Sequence, residues 1–229
     1  MRLLPNDIAV LDFDDHISVW VEESGRLDIA KDALECVHQY IQPGTTVIDI
    51  GASIGDHTVT YADWVGPTGL VIAIEPQEES FACLRHNIRK LKNARCYQVI
   101  LSDGAHPGLV MESMDNAGAS YVKSTRDGRD GLDVMTLDSL MENVPIPEPL
   151  FIKIDAEGSE LNILRGASET ISQYRPVMLV ELNQGALFRQ HTSGAEVCRW
   201  LTMLGYQYKP TDPRLKLTDP QLDILCLPA

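Results

Sequence analysis

Residues 46–57, Thr-Val-Ile-Asp-Ile-Gly-Ala-Ser-Ile-Gly-Asp-His, constrain the fold of this chain more than any other stretch. Val47, Ile48 and Ile50 form a short apolar run, the pattern of a parallel strand covered on both faces. Asp49 breaks the run. A charge is costly to bury without partners, so Asp49 is expected at the exposed C-terminal end of the strand. Gly51 reaches backbone angles closed to other residues and lets a ligand approach the main chain. Gly55 leaves no side chain to hold the next helix off the strand, and Asp56, His57 and Thr58 begin that helix. A buried strand, a glycine turn and a helix start predict an α/β fold.

The spacing narrows the ligand. A dinucleotide fingerprint is G-x-G-x-x-G, with a pyrophosphate on the helix N-terminus. Here the order is D-x-G-x-x-x-G, with Ala52 where the middle glycine would be. That suits a nucleoside without a pyrophosphate better than NAD. The next apolar run, 70–74, ends in Glu75-Pro76. An acidic residue about 20 residues past the glycine turn, at the tip of a second strand, is placed for ribose hydroxyls. An ordinary strand-turn-helix corner explains the glycines but not Glu75.

Five segments carry a resemblance: IDIGASIG at 48–55, IEP at 74–76, LSD at 101–103, TLDSL at 136–140, and IKIDAEGSE at 152–160 followed by LRGA at 164–167. On them the chain resembles class I S-adenosylmethionine-dependent methyltransferases, and among these the FkbM family of O-methyltransferases. The match spans residues 45–182, and the ends match more weakly. The resemblance implies a doubly wound, mostly parallel, seven-stranded Rossmann-like sheet with an antiparallel C-terminal strand. It implies S-adenosyl-L-methionine as cofactor and a hydroxyl of a small molecule, sugar or polyketide-type natural product as acceptor. The cofactor contacts it implies are Asp49, Gly51, Ala52, Ser53, Gly55, His57 and Thr58 toward the amino-acid end, Glu75 and Pro76 at the ribose, Ser102 and Asp103 at the adenine, and Asp155. Asp103 reads equally as a turn former before Gly104. Ser53 departs from the family, where Asn is frequent, though serine still donates one hydrogen bond.

A chain of 229 residues, 44% hydrophobic, suits one domain with a sizeable core. The net charge of −14 argues against a nucleic-acid surface, which would be basic. It is compatible with a cationic cofactor, or simply keeps a surface soluble. No apolar run approaches a membrane span, and the first residues lack a signal peptide's apolar core. Five scattered cysteines without C-x-x-C read as reduced thiols of a cytoplasmic protein. The expected partner is a small-molecule, glycan or natural-product acceptor, with no nucleic acid and no membrane; a homodimer is left open.

Along the chain, residues 9–13 and 17–21 read as two strands flanking Asp14-Asp15, a lid or edge within residues 1–30. His16 there reads as structural or solvated rather than catalytic. Apolar spacing predicts helices over 28–41, 56–65, 80–92, 136–142, 160–167 and 194–205, and strands over 97–101, 150–155, 176–182, 206–208 and 224–227. Residues 104–135 are expected to form a hairpin or flap, with strands at 109–111 and 132–135 around a polar turn at 127–131. Loops over strand ends commonly set specificity.

A period of two puts Lys153 and Asp155 on one strand face, near the carboxyl end where open α/β sheets bind ligands. Glu157 and Glu160 follow in the turn; Glu181 and Asn183 end the next strand. Packing alone does not explain so many charges at strand tips, although an ion pair capping the strand is a plainer alternative. The expected chemistry is in-line attack of a substrate oxygen on the cofactor's methyl group. Asp155 is the expected base, Lys153 orients it or stabilises an alkoxide, and Glu157, Glu181 and Asn183 position the acceptor. A divalent ion among Asp155, Glu157 and Glu181 stays open; a zinc site is not expected. Two rivals stand beside this reading. One is a NAD-dependent oxidoreductase, disfavoured by Ala52 and the Asp-Ala-Glu-Gly turn. The other is a non-catalytic cofactor-binding module on the same fold.

Overall fold

The computed structural model describes residues 1–229 apart from 14, 29–33, 105–107, 112–120, 125–131, 143 and 145–146, with backbone only for 108–111 and 121–124. Seven strands form the central sheet: β1 Thr46–Ile50, β2 Leu70–Ile74, β3 Ala94–Tyr97, β4 Leu150–Ile154, β5 Val177–Asn183, β6 Tyr206–Pro210 and β7 Gln221–Pro228. Their order is β6-β7-β5-β4-β1-β2-β3. β1 to β5 run parallel, and β7 lies antiparallel between β5 and β6. The chain leaves β1 toward β2 and β3, then returns to β4 on the other side of β1. That reversal opens a crevice at the carboxyl ends of β1 and β4, the usual ligand position in such sheets.

The helices are α1 His16–Ser24, α2 Glu35–His38, α3 Asp56–Val65, α4 Glu78–Ile88, α5 Leu137–Met141, α6 Glu160–Arg165, α7 Ser168–Tyr174, α8 Gln184–Arg189 and α9 Gly194–Met203. They cover both faces of the sheet, which is why β1 and β4 are buried at every position. Ile48, Ile72, Ile152 and Val180 pack on one side with Leu137, Leu164 and Leu201. Val47, Val71, Phe151 and Leu179 pack on the other with Val37, Tyr61 and Val65. Among the described residues no helix is long and apolar enough to cross a membrane.

Four expectations are corrected. Residues 17–21 form part of helix α1, not a strand. Asp15 caps that helix by accepting from the Ser18 amide at 3.1 Å, and Gly25 closes it in the left-handed region. Those caps, with Val21 buried against Ala9, Leu11 and Ile54, override the β-propensity of Ile17, Val19 and Val21. The strand expected at 9–13 is reduced to Ala9–Val10, paired with Arg2–Leu3.

The strand expected at 97–101 divides. β3 ends at Tyr97, and Ile100–Leu101 leaves the sheet to pair in parallel with Val134–Met135. The partner of Gly108–Met111 is therefore Tyr121–Ser124, antiparallel, rather than 132–135. Apolar alternation marks strands but does not say which pair. The polar turn at 127–131 lies outside the described residues, as does 29–33 of the expected helix over 28–41, described as helix only across Glu35–His38.

Candidate active site

The glycine turn joins the ends of β1 and β4. Gly51 has φ 75°, and a Cβ there would sit 1.7 Å from the Asp155 carbonyl oxygen. Its missing side chain thus serves contact between the two strand ends, besides exposing backbone to a cavity. Ser53 follows at φ 47° and Gly55 at φ 96°. Gly55 precedes α3 without any side-chain cap, so the first amides of α3 are left to other partners.

Asp49 is 0% exposed, where its charge predicts an exposed strand end. Its partners come from other elements. Thr58 Oγ1 donates to Oδ2 at 2.6 Å, and Lys153 Nζ lies 3.7 Å from Oδ1. A strand read alone shows neither. Thr58 is itself buried, with its hydroxyl spent on this bond.

Glu75, buried at the tip of β2, accepts from the Ser53 amide at 2.9 Å and the Gln77 amide at 2.8 Å. Burial pushes its pKa up to about 7, with the two amides holding it back. Each oxygen keeps a lone pair for a further donor.

Lys153 and Asp155 form the centre. Lys153 Nζ donates to the Gly51 carbonyl at 3.0 Å and stands 3.2 Å from Asp155 Oδ2. Burial alone would lower the lysine pKa, but Asp155 and Asp49 outweigh it and raise it. Burial likewise opposes ionisation of Asp155, and Lys153 overcomes it, leaving Asp155 below its usual range. Glu181 goes the other way. Burial and the adjacent Asp155 push its pKa well up, although Gln221 Nε2 donates to its Oε1 at 2.6 Å. Of the two carboxyl groups, Glu181 is the one whose surroundings favour the protonated form.

Glu157 has φ 49°, and its carboxylate is 3.9 Å from Arg189. Burial, Asp155 and Glu160 push it up to about 7. Oxygens of Asp155, Glu157 and Glu181 lie within 4.8 Å of one another, a set that could hold a metal ion. Glu160 holds the turn itself together, because its Oε1 accepts from the Ala156 and Gly158 amides at 3.0 and 3.1 Å. Asn183 is also spent locally, its side chain accepting from the Ala186 amide to cap α8.

A cavity of about 420 Å³ opens here, lined by Gly51, Ser53, His57, Lys153, Asp155 and Glu181. Among the lining residues that sequence reasoning missed are Trp20 from α1, Asp56 from α3, and Gln221 and Asp223 from β7. The signal for the last two is register, since Asp223 sits opposite Glu181 on the neighbouring strand. Asp49, Ala52, Gly55, Thr58, Glu75, Pro76, Ser102, Asp103 and Glu157 do not line this cavity. Ala52 is buried. Asp103 is half exposed, 4.0 Å from Arg165, and Ser102 Oγ donates to it at 3.4 Å.

The TLDSL and LRGA segments prove architectural. Asp138 accepts from the Glu169 and Thr170 amides at 3.0 and 2.8 Å, capping α7. Gly166 admits the Ser102 carbonyl, which a Cβ would meet at 2.0 Å.

Comparison with known proteins gives the family. Residues 49–208 match the methyltransferase FkbM domain, so this chain belongs to the FkbM methyltransferase family. The hexuronic acid methyltransferase AglP of Haloferax volcanii is 23% identical over 158 residues, covering 68% of this chain and 63% of that protein. The chain thus spans under two thirds of that relative. Among solved structures, methyltransferase FkbM from Methylobacillus flagellatus superposes with a TM-score of 0.51 at 18% identity, over 96% of this chain and 56% of that one. A SAM-dependent methyltransferase from Aquifex aeolicus gives 0.50 at 13% identity, over 95% and 100%. A putative rRNA methylase from Clostridium thermocellum gives 0.52 at 11%, over 95% and 99%. At such identities the structures establish the class I methyltransferase fold alone. Family membership removes the oxidoreductase reading.

Proposed function

We propose that this chain is an S-adenosyl-L-methionine-dependent O-methyltransferase acting on a hydroxyl of a sugar or other small molecule. The carrying observation is the Lys153–Asp155–Glu181 cluster, open to a cavity beside the glycine turn. S-adenosylmethionine, when bound, supplies a methyl group on a positive sulfonium. The residues suit that charge, since the carboxyl groups of Asp56, Asp155 and Asp223 all line the cavity. Glu75 would hold ribose hydroxyls, the uncapped amides of α3 a carboxylate, and Asp103 the adenine.

Asp155, ionised, accepts the acceptor hydroxyl's hydrogen bond and then its proton. A hydroxyl becomes strongly acidic only as its oxygen gains a methyl group, so a carboxylate with a lowered pKa suffices. Lys153 donates to the Gly51 carbonyl and pairs with Asp155, with Asp49 a further 3.7 Å ion-pair neighbour, which supports orientation of Asp155 over stabilisation of an alkoxide. Alignment of the reactants can contribute ~7–11 kcal/mol. Glu157 and Glu181 shape the acceptor side. The name of the archaeal relative supports a sugar acceptor.

The test is calorimetric titration with S-adenosylmethionine, S-adenosylhomocysteine and NAD, followed by turnover of Asp155→Asn at saturating cofactor. Micromolar binding of the first two without NAD is expected, and a loss of about 10²-fold or more in turnover for the variant. Binding of NAD alone would sink the proposal; full turnover by Asp155→Asn would move the base elsewhere.

A further inference from the structure

The cavity has a wall to which the proposed reaction assigns no role. Ile17 and Trp20 of α1 line it, and Trp20 is 57% exposed. The indole meets His16 on one side, ring centroids 6.1 Å apart, and its exposed part beside the cavity is apolar surface of the sort that ligands cover. Its helix is firmly placed. Asn87 of α4 exchanges two hydrogen bonds with Ala9, at 2.7 and 2.9 Å, and donates a third to the Ile54 carbonyl at 2.8 Å. The N-terminal segment carrying Trp20 is thereby fastened to the glycine turn.

Beyond α1 the wall mixes apolar side chains, Leu34, Ile154 and Leu179, with four carboxyl groups. Asp56, Asp155, Glu181 and Asp223 line it, and among the described lining residues Lys153 is the one Lys or Arg. That ammonium is already engaged by Asp155 and the Gly51 carbonyl. Glu181, nine-tenths buried, stands beside Asp155 with its Oε1 held by Gln221. The wall's carboxyl groups accept hydrogen bonds from hydroxyls and repel an incoming carboxylate, and besides the engaged Lys153 the described lining holds one more basic side chain, His57, itself 3.7 Å from Asp56.

We propose that the acceptor is a neutral hydroxylated ring of the pyranoside class, stacked on Trp20 with hydroxyls on the Asp155–Glu181 edge, and that the site rejects uronates. This rests on the O-methyltransferase reading and parts from the hexuronic acid in the relative's name. The test uses a panel of neutral methyl pyranosides beside their 6-carboxylate counterparts, with and without EDTA. It is run on the wild-type protein, Trp20→Ala and Trp20→Phe, with S-adenosylhomocysteine affinity measured separately.

Neutral pyranosides should be methylated at least about 10-fold better than the matched uronates, and Trp20→Ala should raise their KM about 10-fold, with partial rescue by Trp20→Phe and unchanged S-adenosylhomocysteine affinity. Preference for uronates, uronate turnover abolished by EDTA, an unmoved KM in Trp20→Ala, or methylation of neither set by a protein that binds S-adenosylmethionine would each overturn the proposal. Failure to bind S-adenosylmethionine at all would instead overturn the underlying reading, and this proposal with it.

Discussion

Lys153 Nζ lies 3.2 Å from Asp155 Oδ2, joining two residues that close β4 on one face. The same ammonium bonds the Gly51 carbonyl at 3.0 Å. One buried cation therefore locks the glycine turn of β1 to the carboxylate at the end of β4, and the cavity floor is set by that lock.

Removing it should be costly. The Lys153 side chain is 5% exposed and that of Asp49, 3.7 Å away, is 0% exposed. Lys153→Met leaves a buried carboxylate without counter-charge, a loss on the order of 3–5 kcal/mol. Asp49→Asn in the same chain should recover part of it, with a coupling of about 0.5–3 kcal/mol. Urea denaturation of both single variants and the double variant reads that coupling. Strictly additive losses would mean that the ammonium and Asp49 do not interact.

Gly166 and Arg165 adjoin in sequence but differ in consequence. A Cβ on Gly166 would meet the Ser102 carbonyl at 2.0 Å, a backbone atom that cannot swing aside. Gly166→Ala should lower the melting temperature sharply, by a loss above about 2 kcal/mol, as overpacking does. Arg165 pairs with Asp103 at 4.0 Å, both about half exposed. Arg165→Ala should stay within about 1 kcal/mol of wild type. Equal effects from the two variants would contradict the assigned packing.

These residues show what was legible beforehand. The order strand, glycine turn, helix and acidic strand tip is local, so β1, Gly51, Glu75, Lys153 and Asp155 could be read from apolar runs and breakers. Partners distant in sequence could not. Thr58 over Asp49, Gln221 over Glu181, and Ser102 against Gly166 depend on how α3, β7 and the end of α6 pack. Residues 17–21 misled because three β-branched residues outvote a single capping Asp15 in propensity, while the cap and the buried Val21 decide the fold. Trp20 at the cavity carried no motif at all.

Stability should fall as the solution is made more alkaline. Glu75, Glu157 and Glu160 each have a folded pKa pushed up to about 7 from 4.5, in each case chiefly by burial. A raised carboxyl favours the protonated form in the fold. Its stabilising contribution is therefore full below about pH 4.5 and is lost as pH rises through about 7. For the buried Glu160 the upper bound is on the order of 3 kcal/mol. Glu160→Gln keeps an oxygen for the Ala156 and Gly158 amides and removes the titration. Urea midpoints at pH 5, 6, 7 and 8 should decline less steeply in the variant; parallel curves would show that Glu160 does not titrate in that window.

Ser53 occupies φ 47°, a left-handed conformation that serine adopts less readily than asparagine. Ser53→Asn should stabilise the chain by roughly 0.5–1 kcal/mol, seen as a rise in melting temperature. It keeps the backbone amide that Glu75 accepts from at 2.9 Å. A lower melting temperature would mean that the larger side chain is not accommodated beside the cavity.

Binding of a sulfonium should expel protons. Glu181 holds its proton because burial and Asp155 disfavour a second negative charge. A positive charge entering the cavity relieves that repulsion and lowers the Glu181 pKa. S-adenosylmethionine should therefore release protons on binding at pH 7.5, whereas S-adenosylhomocysteine, with a neutral sulfur, should release fewer. Calorimetry in two buffers of different ionisation enthalpy measures the number released. Glu181→Gln should erase the difference between the two ligands while leaving both able to bind. Equal proton release by the two ligands in the wild-type chain would place the sulfonium away from the Asp155–Glu181 pair, and with it the transferable methyl group.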